Sequence, residues 1–136
     1  MPPGHGPGLS TITALLRSVL DNADWQSLGE ALHPDVSWGP PPRPGTLGCR
    51  GRSRVLSRCA RLHARLSRVM VEETFMYPPG VVVLGLWLHG SESVSDPGHL
   101  VYQVFDVVDG LIIRITGYTD RGQALNAAYD DASVRS

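Results

Sequence analysis

Gly80-Val81-Val82-Val83-Leu84-Gly85-Leu86-Trp87-Leu88-His89 is the stretch whose reading decides the fold. Both alternate sets of side chains in it are largely apolar, so a strand here must be covered on both faces. One face then meets a pocket and the other a partner chain. The run is far too short to cross a bilayer as a helix, and no membrane partner is expected. Downstream, His99 to Val107 reads as the returning strand, across a Gly90 to Gly98 loop. Asp109-Gly110 makes a tight turn into a further strand, Leu111 to Thr119, so the wall ends at Tyr118-Thr119-Asp120.

Upstream, Met70 to Tyr77 reads as the strand that precedes this hairpin. Before it, Val55, Cys59, Leu62, Leu66 and Val69 follow a helical stripe, which predicts the longest helix of the chain over Arg52 to Val69. Ser10 is placed to cap a helix carrying Ile12, Leu15, Leu16, Val19 and Leu20. A second short helix, Asp24 to Leu32, presents Trp25, Leu28 and Leu32 before His33-Pro34 stops it. Val36 and Trp38 alternate as a first strand, and Pro40 to Gly45 must be a loop at its rim.

The chain has 136 residues, 42% of them hydrophobic, which suits one domain with a real core. Residues 10–128 form that domain, with residues 1–9 and 129–136 expected to be disordered. A formal charge of -1 gives no hint of a polyanion partner. All twelve basic residues are Arg, which excludes lysine-based Schiff-base chemistry. Cys49 and Cys59 lack metal-ligand spacing, and Cys59 reads as a small thiol packed on a helix. Met1 to Gly8 lacks the pattern of a secretory signal, so a cytoplasmic location is expected.

The element order, with Leu32-His33-Pro34-Asp35-Val36-Ser37-Trp38 after the second helix and Asp109-Gly110 through Tyr118-Thr119-Asp120 at the end, resembles the nuclear transport factor 2-like superfamily. Within it the chain looks like SnoaL-like polyketide cyclases, limonene-epoxide-hydrolase-like proteins and ketosteroid-isomerase-like proteins. The resemblance implies a cystatin-like α+β barrel: a curved mixed or antiparallel sheet wrapped around three N-terminal helices to form a cone with an apolar pocket. It does not bring the catalytic residues along. The isomerase-like carboxylate base would fall near Pro40, and its oxyanion donors near Arg17 or Ser18 and near Val101 or Tyr102. The polar positions of the epoxide hydrolases read Trp38, Pro40, Trp87, His89 and Gly117 here, which argues against that mechanism.

If Trp87 and His89 point into the cone, alternation sends Val83 and Gly85 the same way. A hairpin that pairs His89 with His99, Trp87 with Val101 and Gly85 with Gln103 then gathers two imidazoles and an amide on one wall. His89 and His99 become candidate proton-transfer groups and Gln103 a polarising donor. Each histidine also suits a solvated strand end. Trp38, Trp87, Val101, Ile115, Thr119 and Asp120 are the expected substrate contacts, although Asp120 is equally placed to cap a terminal helix. Ile113, Ile115, Gly117 and Thr119 fall inward by parity, and Tyr118 outward unless a bulge at Gly117 reverses them. No third ligand accompanies the histidines, so no metal is expected, and no cofactor is implied.

Seven of the twelve arginines lie between Arg50 and Arg68 with no carboxylate among them. They lack the aromatic platform of a nucleic-acid binder, and an acidic carrier protein is the more specific partner for them. The remaining strand residues Val82, Leu84, Leu86 and Leu88, with Leu100, Tyr102 and Val104 opposite, are too apolar to face water, which predicts a homodimer on the convex face. A helix of the chain itself covering that face would exchange inward for outward. The sequence thus points to a cofactor-independent cyclase or isomerase acting on a hydrophobic, polyketide- or terpenoid-like intermediate. The alternative is a non-catalytic ligand-binding or dimerisation domain.

Overall fold

A computed structural model describes residues 8–41, 47–90 and 98–135. Among these residues four helices pack on the two faces of one six-stranded sheet. Helix α1 (Leu9–Asn22) buries Ile12, Leu16 and Val19 at helical spacing. It starts from Gly8 rather than from the expected Ser10, which lies inside the helix. Helix α2 (Trp25–Ala31) follows the Asp24 cap, whose carboxylate accepts from the Ser27 amide at 3.2 Å. Strand β1 (Leu32–Gly39) then leads into the short β2 (Cys49–Arg50) and helix α3 (Arg52–Ala64). Most of the rim loop expected at Pro40 to Gly45 lies outside the described residues.

The start of α3 is fixed twice. Gly51 takes a φ of 100°, which favours glycine, and its amide donates to the Val36 carbonyl at 2.7 Å. Arg52 donates from Nε and Nη2 to the Leu32 carbonyl at 3.0 and 2.8 Å. The helix ends at Ala64, five residues short of the expected Val69, and it is not the longest. Strand β3 (Leu66–Tyr77) begins there instead. Its register against β4 (Val81–Gly90) slips between Leu66 and Arg68, so the extra residue lets Leu66 and Val69 face the same way. A bulged strand has thereby reproduced the three-residue spacing of a helix.

Strands β5 (His99–Val108) and β6 (Leu111–Tyr118) complete the sheet, in the order β2-β1-β6-β5-β4-β3. β1 and β6 run parallel and the other neighbours antiparallel, so the sheet is mixed, and it is not closed into a barrel. Asp109 and Gly110 both take positive φ, 53° and 79°, as the expected tight turn requires. Bulges on β3 and at Ile113 of β6 are the points where such a sheet bends. Because of the bulge on β6 Ile112, and not Ile113, joins the core.

The two sheet faces carry different cores. On the inner face Val82, Leu84, Leu86, Phe105, Ile112 and Ile115 pack with α1, α2 and α3. Each such side chain contributes roughly 1.5–3 kcal/mol by leaving water. On the outer face Val81, Val83, Tyr102 and Val104 pack against Ala124, Ala128 and Ala132 of helix α4 (Arg121–Arg135). Those alanines recur every four residues, so a small-residue stripe lies against the strands. The tail expected to be disordered from residue 129 is therefore helical, and Ala132 is buried.

Polar clips hold α4 in place. Arg114 joins the fully buried Asp106 at 3.0 Å to Asp131 of α4 at 3.2 Å. Arg121 grips both oxygens of Glu73, which also accepts from the Tyr102 hydroxyl at 2.9 Å. The Tyr102 ring needs Gly85 opposite it, since a Cβ there would come within 2.9 Å of Cε2.

Candidate functional site

Leu84, Leu86 and Leu88 from β4, with Val101, Gln103 and Phe105 from β5, Ile115 from β6 and Trp38 from β1, form one wall of a cavity of about 150 Å³. Leu16, Val19 and Leu20 of α1, Trp25 and Leu28 of α2, and Cys59, Leu62 and His63 of α3 form the other, with Leu66 and Val69 of β3 at one side. The site is almost wholly apolar. Its size matches cavities that hold a single ring, and lies below the usual range for drug-sized ligands.

Of the expected contacts, Trp38, Val101, Gln103 and Ile115 line this cavity, and Trp87, His89, His99, Thr119 and Asp120 do not. The error on β4 is one residue of register. His99 pairs with Leu88, Leu100 with Trp87, Val101 with Leu86 and Gln103 with Leu84. A slip of one reverses every side chain of the strand, so the leucines took the inner face and Trp87 and His89 the outer. There the Trp87 and His89 rings lie 5.9 Å apart, close against Gly98. His89 and His99 consequently sit on opposite sides of the sheet and share no wall. On β5 and at the end of β6 the expected alternation holds. Gln103 pairs with Gly117 and Tyr102 with Tyr118 without a bulge, and Tyr118 joins the outer core.

Asp120 is a helix cap. Its Oδ2 accepts from the Gln123 amide at 2.8 Å, and both it and Thr119 are exposed. Of the leucines that were expected to form a dimer face, Leu84 and Leu86 are buried inside the subunit, Leu88 lines the cavity and Leu100 packs on the outer core, much of which α4 covers.

Among the described residues Gln103 Oε1 is the buried side-chain oxygen or nitrogen without a hydrogen-bond partner. A buried amide left unpaired costs about 1–3 kcal/mol, so its presence in an apolar wall calls for an outside partner. Gly117 opposite leaves the room, its missing Cβ lying 3.4 Å from that oxygen. A carboxamide offers an acceptor at one end and two donors at the other, so it can meet a ligand hydroxyl or, turned over, a carbonyl.

His63 is the imidazole that lines the cavity, and the sequence reading passed it over. It stands four residues after Cys59, so extending the same stripe by one turn would have found it. Its Nε2 lies 3.2 Å from the Leu20 carbonyl oxygen, which can only accept, and the Trp25 ring meets it edge-on at 5.3 Å. The neutral ring therefore carries its proton on Nε2 and leaves Nδ1 as a base. Cys59 offers no nucleophile. Burial above all, reinforced by Cys49 and only partly opposed by Arg58, pushes its thiol up to about 12. Trp38 carries the Arg58 guanidinium 5.2 Å from its ring centre. Among the described residues no three His, Cys, Asp or Glu side chains cluster as metal ligands, and no helix is long and apolar enough to cross a membrane.

Solved structures share this arrangement of helices and sheet. An uncharacterised protein from Silicibacter pomeroyi DSS-3 with a cystatin-like fold superimposes with a TM-score of 0.68 at 16% identity, over 94% of this chain and 86% of that one. An LEH-like epoxide hydrolase of M. tuberculosis gives 0.60 at 21% identity, over 91% and 93%. An NTF2-like protein from Cytophaga hutchinsonii ATCC 33406 gives 0.59 at 12% identity, over 82% and 91%. This chain has the NTF2-like fold. A candidate ketosteroid isomerase from Kribbella flavida DSM 17836 shares it too, with a TM-score of 0.60 at 20% identity over 79% and 76%. No family model and no curated protein matches the sequence. At these identities the NTF2-like likeness fixes architecture, and the chemistry must come from the cavity.

Proposed function

We propose that this NTF2-like protein is a cofactor-independent enzyme of the isomerase or cyclase type, moving a proton on a small hydrophobic metabolite. The observation that carries the reading is the Gln103 amide oxygen left without a partner in the apolar wall. In this reading the Gln103 amide, turned over so that its Nε2 faces the cavity, donates to and polarises a substrate oxygen. His63 Nδ1 removes a proton from the carbon next to the polarised carbonyl, and the imidazolium returns it elsewhere on the same skeleton. Trp38, Val101, Ile115 and the β4 leucines hold the substrate in one pose. His63 takes the role that sequence alone gave to His89 and His99. The activities named for the neighbours, isomerisation and epoxide opening, support an enzyme of the small-pocket kind. A cavity of about 150 Å³ favours a single ring or short branched chain, terpenoid in character, over a fused polycycle. A homodimer, in this reading, would use the outer-face area around Met70, Trp87 and Leu100.

A non-catalytic binder is the second reading, favoured by the absence of any carboxylate among the described residues that line the cavity and by the protonated Cys59. Single-ring β,γ-unsaturated ketones, followed by ultraviolet absorbance as they conjugate, separate the two. Gln103→Leu is expected to weaken ketone binding by about tenfold or more. His63→Ala is expected to lower turnover by roughly 10²-fold or more while the ketone still binds. Binding without conversion of any such ketone by the unaltered protein would favour the binder, and turnover unchanged in both variants would end the proposal.

A further inference from the structure

Helix α3 carries Arg54, Arg58 and Arg61, with Arg65 at its C-cap, at spacings of four, three and four, so they form one stripe. Ser53, Ser57 and Cys49 join Arg54, Arg58 and Arg61 around an open groove of about 390 Å³. A second hollow, of about 200 Å³, continues it between Arg58, Arg61, Leu62 and Arg65. Among the described residues no carboxylate pairs with Arg54, Arg58 or Arg61. The whole chain has a charge of only -1, so this stripe is a local concentration of like charge. Side chains of like charge one turn apart repel, and an anion lying between them would relieve that repulsion.

Two residues connect the groove to the inner cavity. Leu62 is 40% exposed and borders both spaces. The Trp38 ring forms cavity wall while Arg58 stands over it at 5.2 Å. A ligand whose apolar end fills the cavity would therefore pass Leu62 and Trp38 and bring its other end among the guanidiniums.

We infer that the α3 groove receives a phosphate-class anion on the same ligand whose apolar end enters the cavity, so that the substrate is a phosphorylated or diphosphorylated hydrophobic metabolite. This rests on the proposed function only in using the same cavity. Three guanidiniums and two serine hydroxyls offer more donors than a carboxylate has oxygens, and they suit the several oxygens of a phosphate. The apolar end sets the pose and the anion sets the selectivity.

Calorimetry with hexyl phosphate, 1-hexanol and inorganic phosphate tests the assignment. Hexyl phosphate should bind at least about tenfold more tightly than hexanol at low ionic strength, an advantage that shrinks toward parity near 0.5 M salt. The doubly substituted Arg54→Gln, Arg61→Gln protein should lose that advantage and keep its hexanol affinity. If hexanol binds and hexyl phosphate binds no better, the inference is overturned and the cavity reading stands. If hexanol does not bind and hexyl phosphate matches inorganic phosphate, the cavity reading fails and takes the shared-ligand assignment with it. The salt series uses the unaltered protein, so it decides the matter even if the double substitution disturbs folding.

Discussion

On the outer face of the sheet the buried polar groups Asp106 and Tyr102 are both partnered, whereas on the inner face Gln103 keeps an amide oxygen without a partner. The outer face meets a helix of the same chain, and its ion pairs and alanine stripe serve to hold that helix down. The inner face meets helices too, but it leaves a cavity and an unsatisfied group. Stability was built into one side and an unmet need into the other, and a ligand is what such a need anticipates.

The largest test of this contrast lies on the outer face. Arg114→Met takes from the fully buried Asp106 its cation, and a cost of about 3 kcal/mol is expected, measured by urea unfolding. Ligand affinity per folded molecule should stay unchanged. An inner-face change should do the reverse: Trp38→Ala is expected to weaken ketone binding roughly tenfold, while Trp87→Ala on the other side leaves it alone. Equal effects of the two tryptophans in a binding titration would erase the distinction between the faces.

The smallest effect concerns pH. Hydrogen bonds from Arg121 first, and from Tyr102 next, hold the Glu73 carboxyl below its ordinary range. A lowered folded-state pKa contributes stability at pH above the unfolded value, near 4.3, and the contribution is lost as pH falls through the folded one. Glu73→Gln should therefore flatten the acid limb of a melting-temperature profile taken from neutral pH downward. A mutant profile parallel to that of the unaltered protein would show that this clip adds nothing.

The architecture was legible because its signals were local: the Asp24 cap, the Asp109-Gly110 turn and the alternation along β5. The site was half legible. Ile115 followed from parity within its strand, whereas Val101 and Gln103 lie inward although the pairing that put them there is off by one residue, because β4 is apolar on both faces and nothing in its composition fixed its register against β5. Trp87 and His89 were lost to that one step. Leu66 and Val69 deceived in another way, since a bulge gave a strand the spacing of a helix. Helix α4 went half unseen because its buried stripe is alanine, which carries little hydrophobic signal, while its one large aromatic, Tyr129, faces solvent.

The parallel pairing of β1 with β6 has a consequence for how the molecule is made. Leu32 lies opposite Ile112, so the opening strand, which can meet β2 early, gains its second neighbour only late in synthesis. Until then α1 and α2 have no complete floor to rest on, and any product that stops short of β6 would leave the first strand with a bare flank.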